Sequence, residues 1–242
     1  MVSVIIPALN EESALAGTLE SVRTAKGHFE IIVVDGQSTD TTAGIASRYG
    51  RTLSAPPHRG LQMNRGAEQA RGEVLLFLHA DVIFPPGGFL AIEEALADPR
   101  VVGGNFDLSF DGKSAVSCIF TRINRWRRHF GVFYGDSGIF VRREVFARLG
   151  GYRVIPLMED YDFARRLVKS GRTVFLQEKL LVSARRWEEY GVFRTMASWF
   201  FLHTLYYLGV PPATLARYYP PVRRHVALAE QAAAQQPRAS GP

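Results

Sequence analysis

The sequence predicts an α/β fold, a mostly parallel sheet flanked by helices. Three observations carry that expectation. Short apolar runs at residues 2–6, 29–34 and 74–78 show little of the polar alternation of a one-sided strand, so they read as strands covered on both faces. Helical stretches separate them, and strand-helix-strand-helix order calls for right-handed crossovers and a parallel sheet. A chain of 242 residues, 47% hydrophobic and 21% charged, is long enough to bury a large core and has the balance of a soluble globular protein.

Residues 2–6 form the first strand, ended by Pro7, which has no N–H to give to a ladder. Residues 11–24 carry Leu15, Leu19 and Val22 at helical spacing, with Glu11 and Glu12 in the first turn, where the helix dipole favours acids. The second strand, 29–34, runs into Asp35 and the turn-rich Gly36-Gln37-Ser38-Thr39-Asp40, with Asp40 the expected cap of the next helix. A short strand at 51–53, a loop at 56–60 and a helix at 61–71 lead to the strand at 74–78. After Pro85-Pro86, residues 87–97 are expected to be helical. The alternation from Asn105 to Phe110 predicts an antiparallel strand on the far side of the sheet.

Residues 114–130 place Val116, Ile119, Phe120 and Ile123 at helical spacing and gather Arg122, Arg125, Arg127 and Arg128 around Trp126. These cations suit either a helix C-terminus or a face toward an anionic acceptor or membrane. Residues 134–141 read as a glycine-bounded loop entering a strand, and 143–149 as a short helix closed by Gly150-Gly151. Glu159-Asp160 open a helix that runs to Lys169. Strands at 173–176 and 180–183 finish the sheet, followed by Arg185-Arg186-Trp187.

Residues 192–210 form an aromatic C-terminal helix. Arg194 and His203 interrupt it and Pro211-Pro212 end it, leaving fewer than the about 20 continuous apolar residues that cross a bilayer. It packs on the main domain or on a second copy in a homodimer, or it lies in a membrane interface with Trp and Tyr at headgroup level. The expected division is a main domain over 1–190, a helical extension over 191–226 and a flexible tail over 227–242.

The formal charge of +6 favours a polyanionic or anionic-surface partner: nucleic acid, phosphorylated substrate or acidic lipid. A single cysteine, Cys118, excludes an intramolecular disulfide and any multi-cysteine zinc site. The N-terminal MVSVIIPALNEE has neither the basic start nor the long apolar run of a signal peptide, so a cytoplasmic location is expected.

The chemistry concentrates at strand ends. His79-Ala80-Asp81 interrupts the run at 74–78, and in extended chain side chains at i and i+2 share a face. His79 and Asp81 would then project together at the strand's C-terminal end, where open α/β sheets place ligands. An imidazole beside a carboxylate can hold a divalent cation, and the cation a diphosphate. The alternative is an Asp81 that caps the turn before Pro85, with His79 as its partner. Asp35 likewise ends a strand, and Glu159-Asp160 begin a helix.

Five ordered segments, VSVIIPALNEE, EIIVVDGQSTDTT, GLQMNRGAEQARGEVLLFLHAD, GDSGIFVRREVFARLGGY and MEDYDFARRL, span almost the whole chain. Together they resemble the family 2 glycosyltransferases of the GT-A fold, a Rossmann-like, mostly parallel sheet flanked by helices. The resemblance implies an inverting transfer of one sugar from a nucleotide-diphosphate sugar, a UDP-sugar foremost, to a hydroxyl acceptor that is lipid-linked or belongs to the cell envelope. It implies that Pro7, Ala8, Asn10, Glu11 and Asp35 hold the nucleoside and that Arg65 borders the nucleotide. The family's Asp-X-Asp metal motif falls on His79-Ala80-Asp81, with His in place of the first Asp, so Asp81 and His79 are the implied ligands of Mn²⁺ or Mg²⁺. Asp160 matches the general base with Glu159 in support, and Asp136 lines the sugar or acceptor region. A location at the inner face of the cell membrane follows for a lipid-linked acceptor.

Ser183 and Arg185-Arg186-Trp187 faintly resemble the Gln-X-X-Arg-Trp motif of processive synthases, with Ser in place of Gln. One rival is a sugar-phosphate nucleotidylyltransferase, whose Gly-rich N-terminal loop is absent. A nucleic-acid-binding module lacks any matching signature, so no nucleic-acid partner is expected. The third is a degenerate relative that binds nucleotide-sugar without turnover, given His79.

Overall fold

The computed structural model describes residues 1–110, 122, 133–182 and 192–218. Apart from Arg122, the expected helix at 114–130 with its arginines, Trp126 and Cys118 lies outside the described residues, as do Ser183, Arg185-Arg186-Trp187 and the tail from Ala227.

The apolar runs become the inner strands of a sheet. Strands β1 (Val2–Ala8), β2 (Phe29–Asp35), β3 (Arg51–Ser54) and β4 (Val74–Phe77) are mutually parallel, with Val2 opposite both Phe29 and Val74. With β5 (Val82–Ile83), β6 (Val101–Phe110), β7 (Ile139–Arg142) and β8 (Arg172–Val182), the described residues form an eight-stranded sheet in the order β3-β2-β1-β4-β7-β6-β8-β5. Successive side chains go to opposite faces. Val4, Ile6, Leu76 and Leu78 pack on Leu15, Leu19 and Val22 of α1 (Leu15–Thr24) and on Phe89 and Ile92 of α4 (Gly88–Leu96). Ile5, Leu75 and Phe77 face Met63 and Ala67 of α3 (Arg59–Glu68), Phe146 of α5 (Arg143–Arg148) and Phe163 and Leu167 of α6 (Glu159–Ser170). Both faces of β1 and β4 are thus buried, which is why their sequence is apolar except for Ser3, whose hydroxyl is hydrogen-bonded to Glu30.

Four expectations are corrected. First, β6 does pair antiparallel with its neighbour β7, but the strands reversed against the parallel set are β7, antiparallel to β4 and β6, and β5, antiparallel to β8, so β6 itself points the same way as the parallel strands. Second, the strands expected at 173–176 and 180–183 are one strand. Between the pairs Asn105–Phe175 and Asp107–Lys179, β8 has three intervening residues where β6 has one, and that bulge takes up the polar Gln177-Glu178. Third, α1 starts at Leu15 instead of Glu11, because Glu11 and Glu12 tie the loop after β1 to the loop after β2. Fourth, β4 ends at Phe77 and residues 80 and 81 are in a turn, so strand alternation does not pair His79 with Asp81.

The antiparallel insertion of β7 positions the site. Ile139 lies opposite Phe77, so β7 begins where β4 ends, and the 3-10 turn Gly135–Ser137 just before it reaches the same sheet edge as the C-terminal ends of β1, β2 and β4. The short helix α2 (Thr42–Ala46) follows the β2 loop. Gly150 (φ +72°) and Gly151 (φ +66°) close α5 in the left-handed conformation expected of them.

The C-terminal α7 (Val192–Tyr207) and α8 (Pro212–Ala216) pack through Leu202 and Leu215 on Met158 and Tyr161. The Tyr134 and Tyr161 rings stack with centroids 5.4 Å apart, His203 meets both edge-on, and the Tyr161 and Tyr207 hydroxyls are hydrogen-bonded. Around α7 from Leu202, Phe200 and Leu208 are 76% and 75% exposed, with Phe201 and Tyr207 more than half exposed beside them. Among the described residues no helix is long and apolar enough to cross a membrane.

Candidate active site

One end of the site is built by the loops after β1 and β2. Ala8 and Asp35 are opposite each other in register, and the Ala8 carbonyl accepts the Gly36 N–H at 2.8 Å. Gln62, buried on the sheet-facing side of α3, donates its amide N–H groups to the Ala8 and Val34 carbonyls at 3.0 and 2.9 Å, fastening both strand ends. The sequence pattern does not single out Gln62. The available signal is its spacing of four from Gly66, which puts it on the helix's inner face.

Asn10 takes a left-handed backbone (φ +53°), which its side chain tolerates better than most, and its Oδ1 accepts the Thr39 N–H at 2.8 Å. The Asn10 N–H donates to Ser38 Oγ at 2.9 Å, and the Glu11 N–H to Thr42 Oγ1 at 2.8 Å. Asp40 accepts the Thr42 N–H at 2.9 Å, although Thr41 holds the cap position of α2. These bonds fix the polypeptide around Pro7, Ala8, Asn10 and Glu11. Asp35 stands at the centre, only 7% exposed. Its Oδ2 accepts the Ser38 N–H at 3.1 Å, while Oδ1 is buried with no hydrogen-bond partner. A buried carboxylate oxygen without a donor is costly, and a ligand N–H or O–H would satisfy it.

The other end gathers acids. Met158 enters α6 with a left-handed backbone (φ +68°), and Glu159, Asp160 and Asp162 fill the first turn, where the dipole favours carboxylates. Asp162 is structural: it pairs with Arg153 and Arg166, and Arg166 also donates to the Leu149 and Gly151 carbonyls. Asp160 faces the 3-10 turn. Its Oδ2 accepts the Gly135 N–H at 2.9 Å and its Oδ1 the Tyr161 N–H at 2.7 Å. A Cβ on Gly135 would lie 3.0 Å from Asp160 Oδ2 and 3.1 Å from His79 Nε2, so the base candidate and the imidazole meet across a residue that leaves them room. The turn carrying His79 and Asp81 is anchored by the Thr18 hydroxyl, which donates to the Ala80 carbonyl at 2.8 Å.

Arg59, the first residue of α3, faces these acids. Its Nη1 lies 3.3 Å from Glu159 Oε1, with the Glu159 side chain 6% exposed and that of Arg59 47% exposed. Partial desolvation pulls the guanidinium's pKa down, but the carboxylates of Glu159, Asp160, Asp81 and Asp136 outweigh it and hold the value above the ordinary one. Burial pushes the Glu159 carboxyl up, opposed by Arg59 and reinforced by Asp160. Arg65, expected beside the nucleotide, is exposed and pairs with Glu68 at 3.2 Å. It lies six residues beyond Arg59, about 600° around the helix and so on a different side, and is not brought to the acids. His79, Asp81, Asp136, Glu159 and Asp160 are brought together; Asp35 with Pro7, Ala8, Asn10 and Glu11 forms the second group along the same edge.

No three His, Cys, Asp or Glu side chains among the described residues form a metal-ligand cluster. His79 and Asp81 still suit a cation that takes one or two protein ligands and completes its shell with phosphate oxygens and water, the usual habit of Mg²⁺ at phosphate sites.

The family model described as Glycosyl transferase family 2 matches residues 3–150. A PGL/p-HBAD biosynthesis glycosyltransferase of Mycobacterium bovis is 33% identical over 180 residues, covering 67% of this chain and 68% of its own. An uncharacterized protein of Mycobacterium tuberculosis is 29% identical over 214 residues, covering 75% and 66%. The chain thus spans about two thirds of the length of these curated relatives. Among solved structures, S. aureus TarS superposes with a TM-score of 0.62 at 18% identity, over 78% of this chain and 38% of its own. The mannosyltransferase PcManGT from Pyrobaculum calidifontis, solved with GDP-Man and Mn²⁺, gives a TM-score of 0.62 at 19% identity over 98% and 76%. These likenesses establish the fold as GT-A.

Proposed function

The chain belongs to glycosyl transferase family 2, and from that premise we propose that it moves one sugar from a nucleotide-diphosphate sugar to a hydroxyl acceptor, inverting the anomeric centre. The carrying observation is that one sheet edge holds both the donorless Asp35 Oδ1 and the Asp160 carboxylate. The first suits a base N–H or ribose hydroxyl, with Pro7, Ala8, Asn10 and Glu11 around it. The second suits an acceptor hydroxyl: each Asp160 oxygen already accepts one N–H and retains a lone pair for another proton. The acceptor oxygen bonds to the anomeric carbon as the bond to the diphosphate oxygen breaks, and its proton passes to Asp160. Asp136, in the turn beside Asp160, lines the sugar.

His79 and Asp81 would hold Mn²⁺ or Mg²⁺. When bound, the cation supplies electrostatic stabilisation of the charge that builds on the departing diphosphate. TarS crystallised with UDP-GlcNAc and PcManGT with GDP-Man and Mn²⁺ support a nucleotide-sugar donor and a divalent cation, and a UDP-sugar is the first donor to try. The test is thermal stabilisation by UDP-, GDP- and dTDP-sugars with Mn²⁺. A donor at 100 times its Kd adds about 2.7 kcal/mol. EDTA and Asp81→Ala are each expected to weaken that shift, and His79→Ala reads the imidazole's share. An unchanged shift in EDTA would remove the cation from the reading, and no shift with any donor would remove the reading itself.

The acceptor is proposed to be lipid-linked and reached at the inner face of the cell membrane, with α7 lying on an anionic lipid surface. Its outer side exposes Phe200, Phe201, Tyr207 and Leu208, at spacings that share one helical face. The charge agrees, since residues 191–229 contain no Asp or Glu and include Arg194, Arg217, Arg223 and Arg224. The protein is expected to float with anionic but not neutral liposomes at low salt, and Phe200→Ser with Leu208→Ser to abolish this. If the wild type stays at the bottom and the double variant instead splits a dimer on a sizing column, the face is a homodimer contact.

A further inference from the structure

Arg59 has no counterpart among the residues that the sequence motifs singled out, yet it is the guanidinium that faces four carboxylates of the site. We propose that Arg59 binds the donor's diphosphate and that Glu159 is the positioning residue that holds it in place. The inference rests on the reading that the donor is a nucleotide-diphosphate sugar.

The pair is asymmetric. Glu159 is buried on the first turn of α6, while half of the Arg59 side chain reaches solvent, so the ion pair is anchored at the acid and open at the cation. A guanidinium has five N–H donors in a planar fork, and the Glu159 contact at 3.3 Å occupies one of them. Such a fork matches phosphate oxygens two at a time, which an ammonium cannot do.

The surroundings explain why a fixed cation is needed. Asp81, Asp136, Glu159 and Asp160 would repel a diphosphate, and a cation at His79 and Asp81 offsets only part of that repulsion. Arg59 feels the charge of both Asp81 and Asp160, so its guanidinium is within electrostatic reach of the proposed leaving-group end and of the proposed acceptor end. Glu159 is then a clamp, and the proton-accepting task stays with its neighbour Asp160, whose carboxylate faces the Gly135 turn instead.

Calorimetric titration of UDP and GDP, each beside its nucleoside, separates the possibilities. The comparison uses wild type, Arg59→Gln, Arg59→Lys and Glu159→Gln, in Mn²⁺ and in EDTA. Arg59→Gln is expected to weaken the diphosphate about 10- to 100-fold, the range of a lost charged hydrogen bond, with the nucleoside unchanged. Arg59→Lys should recover part of the loss. Glu159→Gln should weaken the diphosphate several-fold, about 3- to 10-fold, again sparing the nucleoside. Equal losses for nucleoside and diphosphate would mean a purely structural pair and overturn the proposal, as would undiminished diphosphate binding by Arg59→Gln. Should Arg59→Gln fail to fold, Arg59→Lys decides by the same split. A wild type that binds neither diphosphate nor nucleoside overturns the donor reading as well, which separates the two failures.

Discussion

Asp160→Asn is expected to lower kcat by about 10² to 10⁴, the contribution of a positioned general base, while nucleotide affinity stays within about twofold. Asp160 sits on α6 beside Gly135, whereas the donorless oxygen of Asp35 belongs to the β1–β2 end, so the substitution leaves the proposed nucleoside contacts alone. The replacement is not entirely silent in the fold. Both Asp160 oxygens accept backbone N–H groups, from Gly135 and Tyr161, and an amide NH₂ must face one of these donors. That mismatch is expected to cost on the order of 1 kcal/mol, so a melt must accompany the kinetics. Steady-state rates with titration calorimetry make the test. Near-normal turnover would reassign the base to Glu159 or Asp136.

Gly104→Ala is expected to destabilise the protein by about 3 kcal/mol or more, near the top of the range for overpacking. β6 is held on both sides, with Gly104 opposite Phe140 of β7 and Val174 of β8. An added Cβ would lie 2.0 Å from the Val174 carbonyl oxygen and 2.9 Å from the Phe140 ring. The first neighbour is backbone inside a ladder and has no rotamer to change. For a chain of this length the loss corresponds to a melting point lower by roughly 6–12 °C. A fall of less than about 2 °C would show that β8 can swing away without cost.

The parallel half was legible because burial on both faces writes itself into consecutive residues: Ile31 to Val34 and Leu75 to Leu78 announce strands without reference to anything distant. Asp35 was legible for the same reason, since a carboxylate at the end of such a run stands out. The direction of β7 was not, because pairing with Phe77 depends on residues more than sixty positions away. Nor was the contact that distinguishes Arg59 from Arg65. Both lie on one helix, and what separates them is Glu159, a hundred residues on. The split assigned to β8 reflected a real disturbance, the polar residues of the bulge, misread as an end. The i, i+2 argument for His79 and Asp81 failed because it assumed extended chain two residues past the point where pairing stops.

The left-handed backbone at Met158 narrows what evolution or an engineer can place there. A positive φ favours glycine or asparagine and penalises a Cβ branch most, whereas burial among Tyr161, Leu202 and Leu215 favours a large apolar side chain. No residue meets both demands in full. Methionine comes close, since it is unbranched at Cβ and its flexible thioether follows an irregular gap. Valine and isoleucine are excluded by the backbone, glycine and asparagine by the core. The residue directly before Glu159 and Asp160 therefore has a short list of acceptable substitutes.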